Sequence, residues 1–200
     1  MVDFINEVRE FYKPYYDKND LAHSISHADD VCELALKMNR DCSKKLVVLS
    51  AYIHDIFNSI DRAKHHILAY EYVLKRSDKY TKTLDEKSLL YVAHAVLEHR
   101  SSFKGEFYSK LSEVISAADR GEPSLVPIII RSMQFNNANA DDVVYHIKDK
   151  YTKDGYAKFP KLYKEYFKDE FAKFQNDAKY ITKEQVLKIW SSKNKHLIKS

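Results

Sequence analysis

Residues 46–57, LVVLSAYIHDIF, are apolar at nearly every position except for the pair His54-Asp55. A helix that is apolar on all sides is typical of the centre of a protein core. The stretch predicts a buried central helix over residues 45–57 that carries two ionisable side chains. A buried carboxylate without a partner is destabilising by several kcal/mol, or its pKa rises. A divalent cation would be one efficient partner for both side chains, and its other ligands would have to come from elsewhere in the chain.

The composition points to an all-α protein. The 200 residues include only 3 Gly and 4 Pro, too few for the many tight turns of a sandwich or barrel. Hydrophobic residues at 44% and charged residues at 31% fit a folded globular chain, which we expect to form a single domain of residues 1–200. Apolar residues at helical spacing predict further helices at about 3–13, 26–40, 63–76, 85–99, 109–120, 123–135, 141–150, 158–176 and 182–195.

The residues after Lys148 are rich in Lys, Tyr and Phe. Most of these aromatic residues recur every three or four positions, which favours an amphipathic helix packed on the core over a platform for nucleic-acid bases. Interspersed Asp and Glu residues also argue against a surface that follows a phosphate backbone. Nucleic acid is therefore not an expected partner.

Two observations favour a cytoplasmic protein without membrane contact. The N-terminal residues contain no apolar run of signal-peptide length, and the longest apolar run of the chain is too short to span a bilayer. The two cysteines, Cys32 and Cys42, do not form a disulfide framework, which suits a reducing compartment. The modest net charge of +4 is compatible with a small nucleotide ligand, and a homo-oligomer is compatible with the sequence.

Three segments resemble, in order and spacing, the HD superfamily of metal-dependent phosphohydrolases. They are HSISHADDV (His23 to Val31), LSAYIHDIF (Leu49 to Phe57) and VISAADRGE (Val114 to Glu122). The resemblance covers about residues 20–125 and implies a compact helical HD-domain bundle, with residues 126–200 as a C-terminal helical extension packed on it. The metal ligands that it implies are His27, His54, Asp55 and Asp119.

The metal implied by this resemblance is a divalent ion. Imidazole and carboxylate ligands suit Mn²⁺, which we favour, and also Fe²⁺, Zn²⁺, Ni²⁺ or Mg²⁺. The segment AKHHILAYEYVLKR (residues 63–76) is similar to the one that supplies a ligand for a second metal in two-metal branches of the superfamily. His65 is the better match there, and His99 resembles the histidine that follows, so Asp55, His65 and His99 could hold a second ion. The alternative is that His65, His66, His94 or His99 contacts substrate phosphate or protonates the leaving oxygen.

The implied function is hydrolysis of a nucleotide, or of a related phosphate ester or anhydride, by a metal-activated water. The catalytic candidates are Asp55, His65 and His99. The candidates for binding substrate phosphates are Arg62, His66, His94 and Arg120. Tyr52, Tyr70 or Tyr91 could stack on a base, and Asp61 could orient water or cap the next helix. Two other functions remain open, namely a nucleotide- or metal-binding module without turnover and a di-iron oxygenase of the HD type.

Overall fold

The computed structural model of the chain describes residues 1–134 and 139–193, and within these ranges it is helical without any strand. The α-helices are α1 (Val2–Tyr16), α2 (Ile25–Met38), α3 (Lys44–Ile53), α4 (His65–Leu74), α5 (Glu86–Glu98), α6 (Lys110–Ala118), α7 (Leu125–Gln134), α8 (Ala140–Tyr151), α9 (Lys161–Tyr166), α10 (Lys168–Tyr180) and α11 (Lys183–Lys193). Short 3-10 turns occupy Leu21–His23 and Thr81–Thr83. The all-α prediction is confirmed. None of the helices in the described ranges combines the length and the apolar character that crossing a membrane requires.

The helices are grouped in two compact units. The first contains Met1–Gly121 together with Lys158–Tyr166, and therefore α1 to α6 and α9. The second contains Glu122–Ala157 and the residues from Phe167 onward, with α7, α8, α10 and α11. The expectation of one domain with a C-terminal extension packed on its core stays a prediction.

Helix α3 is the centre of the first unit. Every residue from Val47 to Ile53 is buried, and the helix contacts α1, α2, α5 and α6. Its apolar sequence explains this position, because no side of the helix carries a polar face for solvent. The helix ends at Ile53, earlier than the predicted end at residue 57. His54 and Asp55 therefore lie in the turn that follows the helix, where side chains can point beyond the helix end.

The aromatic segment after Lys158 differs from its prediction. The sequence predicted one helix over residues 158–176, whereas the structure has α9 and α10, separated by Phe167 with φ −106° and ψ 39°. Tyr163 is buried in the first unit, while Phe171 and Phe174 are buried in the second. The prediction of one continuous helix is wrong, because the two halves of the aromatic stripe pack in different units.

Helix α6, which leads to Asp119, allows a test of the core. Ile115 is 0% exposed in this helix, whereas Ile60 is 69% exposed. We expect Ile115→Ala to lower the free energy of unfolding by about 2–5 kcal/mol, since the truncation removes buried contacts and leaves a cavity. The matched change Ile60→Ala should alter it by less than about 0.5 kcal/mol. Urea denaturation measures both values, and equal effects of the two substitutions would contradict the assigned core.

Candidate metal centre

The predicted ligands lie at the ends of five helices of the first unit. His27 is in the first turn of α2, and His65 is the first residue of α4. His54, His99 and Asp119 directly follow α3, α5 and α6 as their C-terminal caps. Because the helix ends meet, side chains far apart in the sequence lie within a few ångströms of each other.

Asp55 lies in the middle of this cluster, and its two carboxylate oxygens face different histidines. Oδ2 is 3.3 Å from His54 Nε2 and 3.8 Å from His27 Nε2. Oδ1 is 3.1 Å from His65 Nε2 and 3.6 Å from His99 Nε2. Asp55 thus has the geometry of a ligand that bridges two cation sites.

Asp119 joins the first of these two groups. Its Oδ1 is 3.1 Å from His27 Nε2 and 3.7 Å from His54 Nε2. The structure therefore brings together all four residues that the sequence predicted as metal ligands. Two overlapping sets have ligand atoms within 4.8 Å of one another, and these are His27 with His54 and Asp55, and Asp55 with His65 and His99.

Hydrogen bonds to the backbone orient three of the imidazole rings. His54 Nδ1 lies 2.7 Å from the Ala51 carbonyl oxygen, His65 Nδ1 lies 2.8 Å from that of Arg62, and His99 Nδ1 lies 2.7 Å from that of Val96. A carbonyl oxygen can only accept, so each Nδ1 carries the proton and donates it. The remaining nitrogen, Nε2, then points its lone pair at the cluster, as in metal-binding histidines whose other nitrogen is held by a carbonyl.

Two features of these nitrogens fit a cation. His54 Nε2 is buried and makes no hydrogen bond within the part of the chain that the structure describes. The Nε2 atoms of His65 and His99 are only 3.0 Å apart, so that in the neutral rings two lone pairs would face each other. A cation beside His54 Nε2 would give this nitrogen a partner. A cation between His65 and His99 would remove the repulsion between their lone pairs. The donor set, four imidazoles with two carboxylates, suits a divalent transition metal.

The electrostatics of the cluster favour the same conclusion. Burial would raise the pKa of Asp55, but His54, His65 and His99 lower it well below its usual range. For Asp119, burial acts the same way, but the hydrogen bond from His27 and the neighbouring imidazoles lower its pKa well below the usual value. Burial lowers the pKa of His54, yet Asp55 and Asp119 outweigh it and raise that pKa to about 9. The two carboxylates therefore hold positive charge here, and a metal ion would replace a proton.

Asn19 supports the turn that carries Asp55, and the sequence analysis did not single it out. Its Nδ2 donates to the Asp55 carbonyl oxygen at 3.1 Å, while its Oδ1 accepts from Ser59 N at 2.9 Å. It also donates to the His23 carbonyl oxygen at 3.0 Å. The sequence offered only one signal, an amide residue shortly before the first histidine motif.

Arg120 holds two of the ligand-bearing helix ends together. Its Nη1 donates to the His99 carbonyl oxygen at 2.9 Å and to Asp119 Oδ2 at 3.2 Å. Its Nη2 donates to Ser116 Oγ at 3.1 Å, and its Nε donates to the Lys158 carbonyl oxygen at 3.1 Å. These contacts of a buried guanidinium make Arg120 a positioning residue for Asp119 and His99. Its predicted contact with substrate phosphate stays a prediction.

His66 and His94, which the sequence offered as candidates for contact with substrate, lie outside the two groups. His94 Nδ1 is 2.9 Å from Glu98 Oε1, and its ring stacks on Tyr108 with 3.9 Å between ring centroids. His66 follows His65, but its Nδ1 is buried and has no hydrogen-bond partner among the described residues. Burial, followed by the charge of Arg100, lowers the pKa of His66 to about 4. His66 is therefore neutral at neutral pH and unsuited to protonating a leaving group, while phosphate contacts of both residues stay predictions.

Three further expectations can be compared with the structure. Tyr52 is 1% exposed and its hydroxyl donates to Asp29 Oδ1 at 2.7 Å, so it cannot stack on a base. Tyr70 is half-buried, with its ring centroid 5.5 Å from that of His94. Asp61 Oδ1 accepts from the backbone N–H groups of Ala63 and Lys64, in the turn before α4, and the N-cap of this helix is Lys64, so Asp61 does not cap it.

The two-group geometry predicts the metal content of the protein. We expect the wild-type chain to bind two Mn²⁺ ions and His99→Gln to bind one, because the change removes a ligand of only one group. Equilibrium dialysis with elemental analysis measures the ratio. His146→Gln is the matched control, since His146 lies in the second unit and should leave the ratio unchanged. One ion in both wild type and His99→Gln would rule out the second site.

Comparison with family models matches the HD domain over residues 20–130, which is more than half of the chain. This range contains all six residues of the two ligand groups. Comparisons with curated proteins and with solved structures gave no significant match. The resemblance seen in the sequence is confirmed, and the chain belongs to the HD domain family.

Proposed function

We propose that this protein is a metal-dependent phosphohydrolase that acts on a nucleotide or a related phosphate ester or anhydride. The observation that carries the proposal is the position of Asp55 between the group of His27 and His54 and the group of His65 and His99. Paired cations joined by a shared carboxylate are suited to in-line displacement at phosphorus, because they stabilise both the attacking and the departing oxygen. The nucleotide class rests on the family resemblance.

Each ligand has a definite role in this proposal. His27, His54 and Asp119 would hold one ion, His65 and His99 would hold the other, and Asp55 would contact both. Bound divalent ions would lower the pKa of water toward neutrality and neutralise charge on phosphate oxygens. Mn²⁺ is the first ion to test, with Fe²⁺, Zn²⁺, Ni²⁺ and Mg²⁺ as alternatives.

Exposure indicates the side from which substrate would enter. The Asp119 side chain is 18% exposed, more than that of any other ligand in the two groups. The five remaining ligands are at most 7% exposed, so the surrounding helix ends exclude bulk water. We therefore propose that substrate and attacking water would approach from the Asp119 side, which is the more exposed side of the cluster.

Among the candidates for binding substrate phosphate, Arg62 has the most exposed charge. Its carbonyl oxygen accepts from His65 Nδ1, so its backbone is adjacent to the second group. Its side chain is 52% exposed and lies 3.8 Å from Asp20, a surface pair that contributes little to stability. A guanidinium binds phosphate through bidentate hydrogen bonds, which are stronger than such a surface pair. Arg100, which the sequence analysis missed, donates to the Ala63 carbonyl oxygen at 2.7 Å and adds positive charge beside this segment.

The hydrolase proposal is tested by phosphate and pyrophosphate release from a panel of nucleoside mono-, di- and triphosphates with added Mn²⁺. Loss of an outer-shell partner of a metal ligand typically lowers activity by about 10–100-fold. Asp55→Asn removes charge from the shared ligand itself, so we expect release to fall by more than roughly 100-fold. Asp154→Asn, a matched change at an exposed residue outside the centre, should release phosphate at the wild-type rate.

The same assay distinguishes the other two functions. Saturable nucleotide binding without release by the metal-loaded chain would identify a binding module. Oxygen uptake by the iron-loaded chain, with no release from any nucleotide, would identify an oxygenase. Equal release by wild type and Asp55→Asn would assign the activity to a contaminant and contradict the proposal.

Arg62 gives a separate prediction on substrate binding. We expect Arg62→Ala to raise KM by roughly 10- to 150-fold, because a charge-assisted hydrogen bond contributes about 1.5–3 kcal/mol. Metal content should be unchanged, since Arg62 contributes no side-chain ligand. Arg40→Ala, at another exposed arginine, is the control, and steady-state kinetics on the best nucleotide measure both variants. An unchanged KM would exclude Arg62 from the phosphate site.

A further inference from the structure

A cavity of about 290 Å³ lies in the first unit, between residues 103–107 and residues 158–161. Two hydrogen bonds hold the second segment in place. Lys158 N donates to the Ser101 carbonyl oxygen at 2.8 Å, and Arg120 Nε donates to the Lys158 carbonyl oxygen at 3.1 Å. Arg120 also lines the cavity. Hydrogen bonds therefore hold the backbone of the second segment, and none of the six candidate metal ligands lines the cavity.

The walls of the cavity are aromatic. Phe103 and Phe107 line one side, with their ring centroids 5.5 Å apart and their planes inclined by 38°. A Cβ atom at Gly105 would lie 2.7 Å from Phe103 Cζ, so the glycine allows this ring to lie against the backbone. Phe159 and Pro160 line the cavity from the second segment. Phe103, Phe107 and Phe159 are only partly buried, which leaves ring surface for a planar ligand.

Positive charges line the same cavity. Lys104, Lys158 and Lys161 are all exposed lining residues. Lys161 pairs with Glu165 at 3.4 Å, but both side chains are more than half exposed and the pair is weak. The carboxylate that lines the cavity, Glu113, already accepts a hydrogen bond from Leu162 N at 2.9 Å. The excess of positive charge favours an anionic ligand.

We propose that this cavity binds a nucleoside monophosphate, with the base against the phenylalanine rings and the phosphate on Lys104 and Lys158. Aromatic rings stack on any base, and lysine ammonium groups bind phosphate at the mouth of such a pocket. The volume of about 290 Å³ is just below the range for small-molecule pockets, about 300–1,000 Å³, which suits one base with its ribose and no polymer. This proposal needs neither metal nor hydrolysis, so it stands apart from the proposed function.

The test uses the full chain freed of metal with EDTA and titrated with adenosine 5′-monophosphate in a calorimeter. We expect saturable binding, and a dissociation constant that rises roughly tenfold or more in the double variant Lys104→Ala/Lys158→Ala. Phe103→Ala should weaken binding by a similar factor, because a stacking surface is lost. The exposed lysines can be replaced without touching the core, so the double variant tests the site even if Phe103→Ala folds poorly.

Matched controls separate this site from general attraction of anions. Lys13→Ala/Lys82→Ala removes the same charge from exposed lysines that do not line the cavity, and it should bind as the wild type does. Adenosine and ribose 5-phosphate should each bind at least roughly tenfold more weakly than the nucleotide, since each lacks one of the two recognised parts. Binding by ribose 5-phosphate equal to that of the nucleotide would overturn the role of the rings. No saturable binding, or equal weakening in both lysine pairs, would overturn the site.

Discussion

The buried negative charge of Asp55 and the imidazoles around it constrain the rest of the first unit. A carboxylate in the core is destabilising unless opposite charge or hydrogen bonds surround it. Here His54, His65 and His99 lower the pKa of Asp55, and the His27 Nε2 atom lies 3.8 Å from it. These residues come from separate helices, so the position of this one side chain requires that the helix ends meet at a common point.

Helix ends supply this arrangement through their own unsatisfied backbone groups. The last carbonyl oxygens of an α-helix have no partner within the helix. Ala51 and Val96 are in the last turns of α3 and α5, and their carbonyl oxygens accept the Nδ1 protons of His54 and His99. The same hydrogen bond that satisfies a helix end therefore fixes the tautomer of a ligand and directs its Nε2 atom at Asp55. Hydrogen bonds at the helix ends thereby orient the imidazole rings of the candidate metal centre.

Arg120 joins the metal centre to the surface of the first unit. On one side its guanidinium holds Asp119 and the His99 carbonyl oxygen, and on the other it holds Lys158, at the edge of the aromatic cavity. A side chain with several fixed donors can connect these parts because its fork geometry satisfies several acceptors at once. The first unit thus has one possible ligand site at its buried centre and another that is lined by the arginine bonded to Asp119.

The sequence by itself determined the helical class, the positions of most helices and the choice of His27, His54, Asp55 and Asp119 as candidate ligands, because these depend on local periodicity and on motif order. It favoured His65 and His99 over their neighbours His66 and His94, but it left open whether His65 and His99 lie next to Asp55. Only the tertiary structure decided this, because the distance between residues 34 positions apart depends on how α4 and α5 pack. Packing also decided the role of Arg120, since acceptors such as the Lys158 carbonyl oxygen come from contacts that no local pattern encodes. The same holds for the break at Phe167, because Tyr163 and Phe171 are buried in different units.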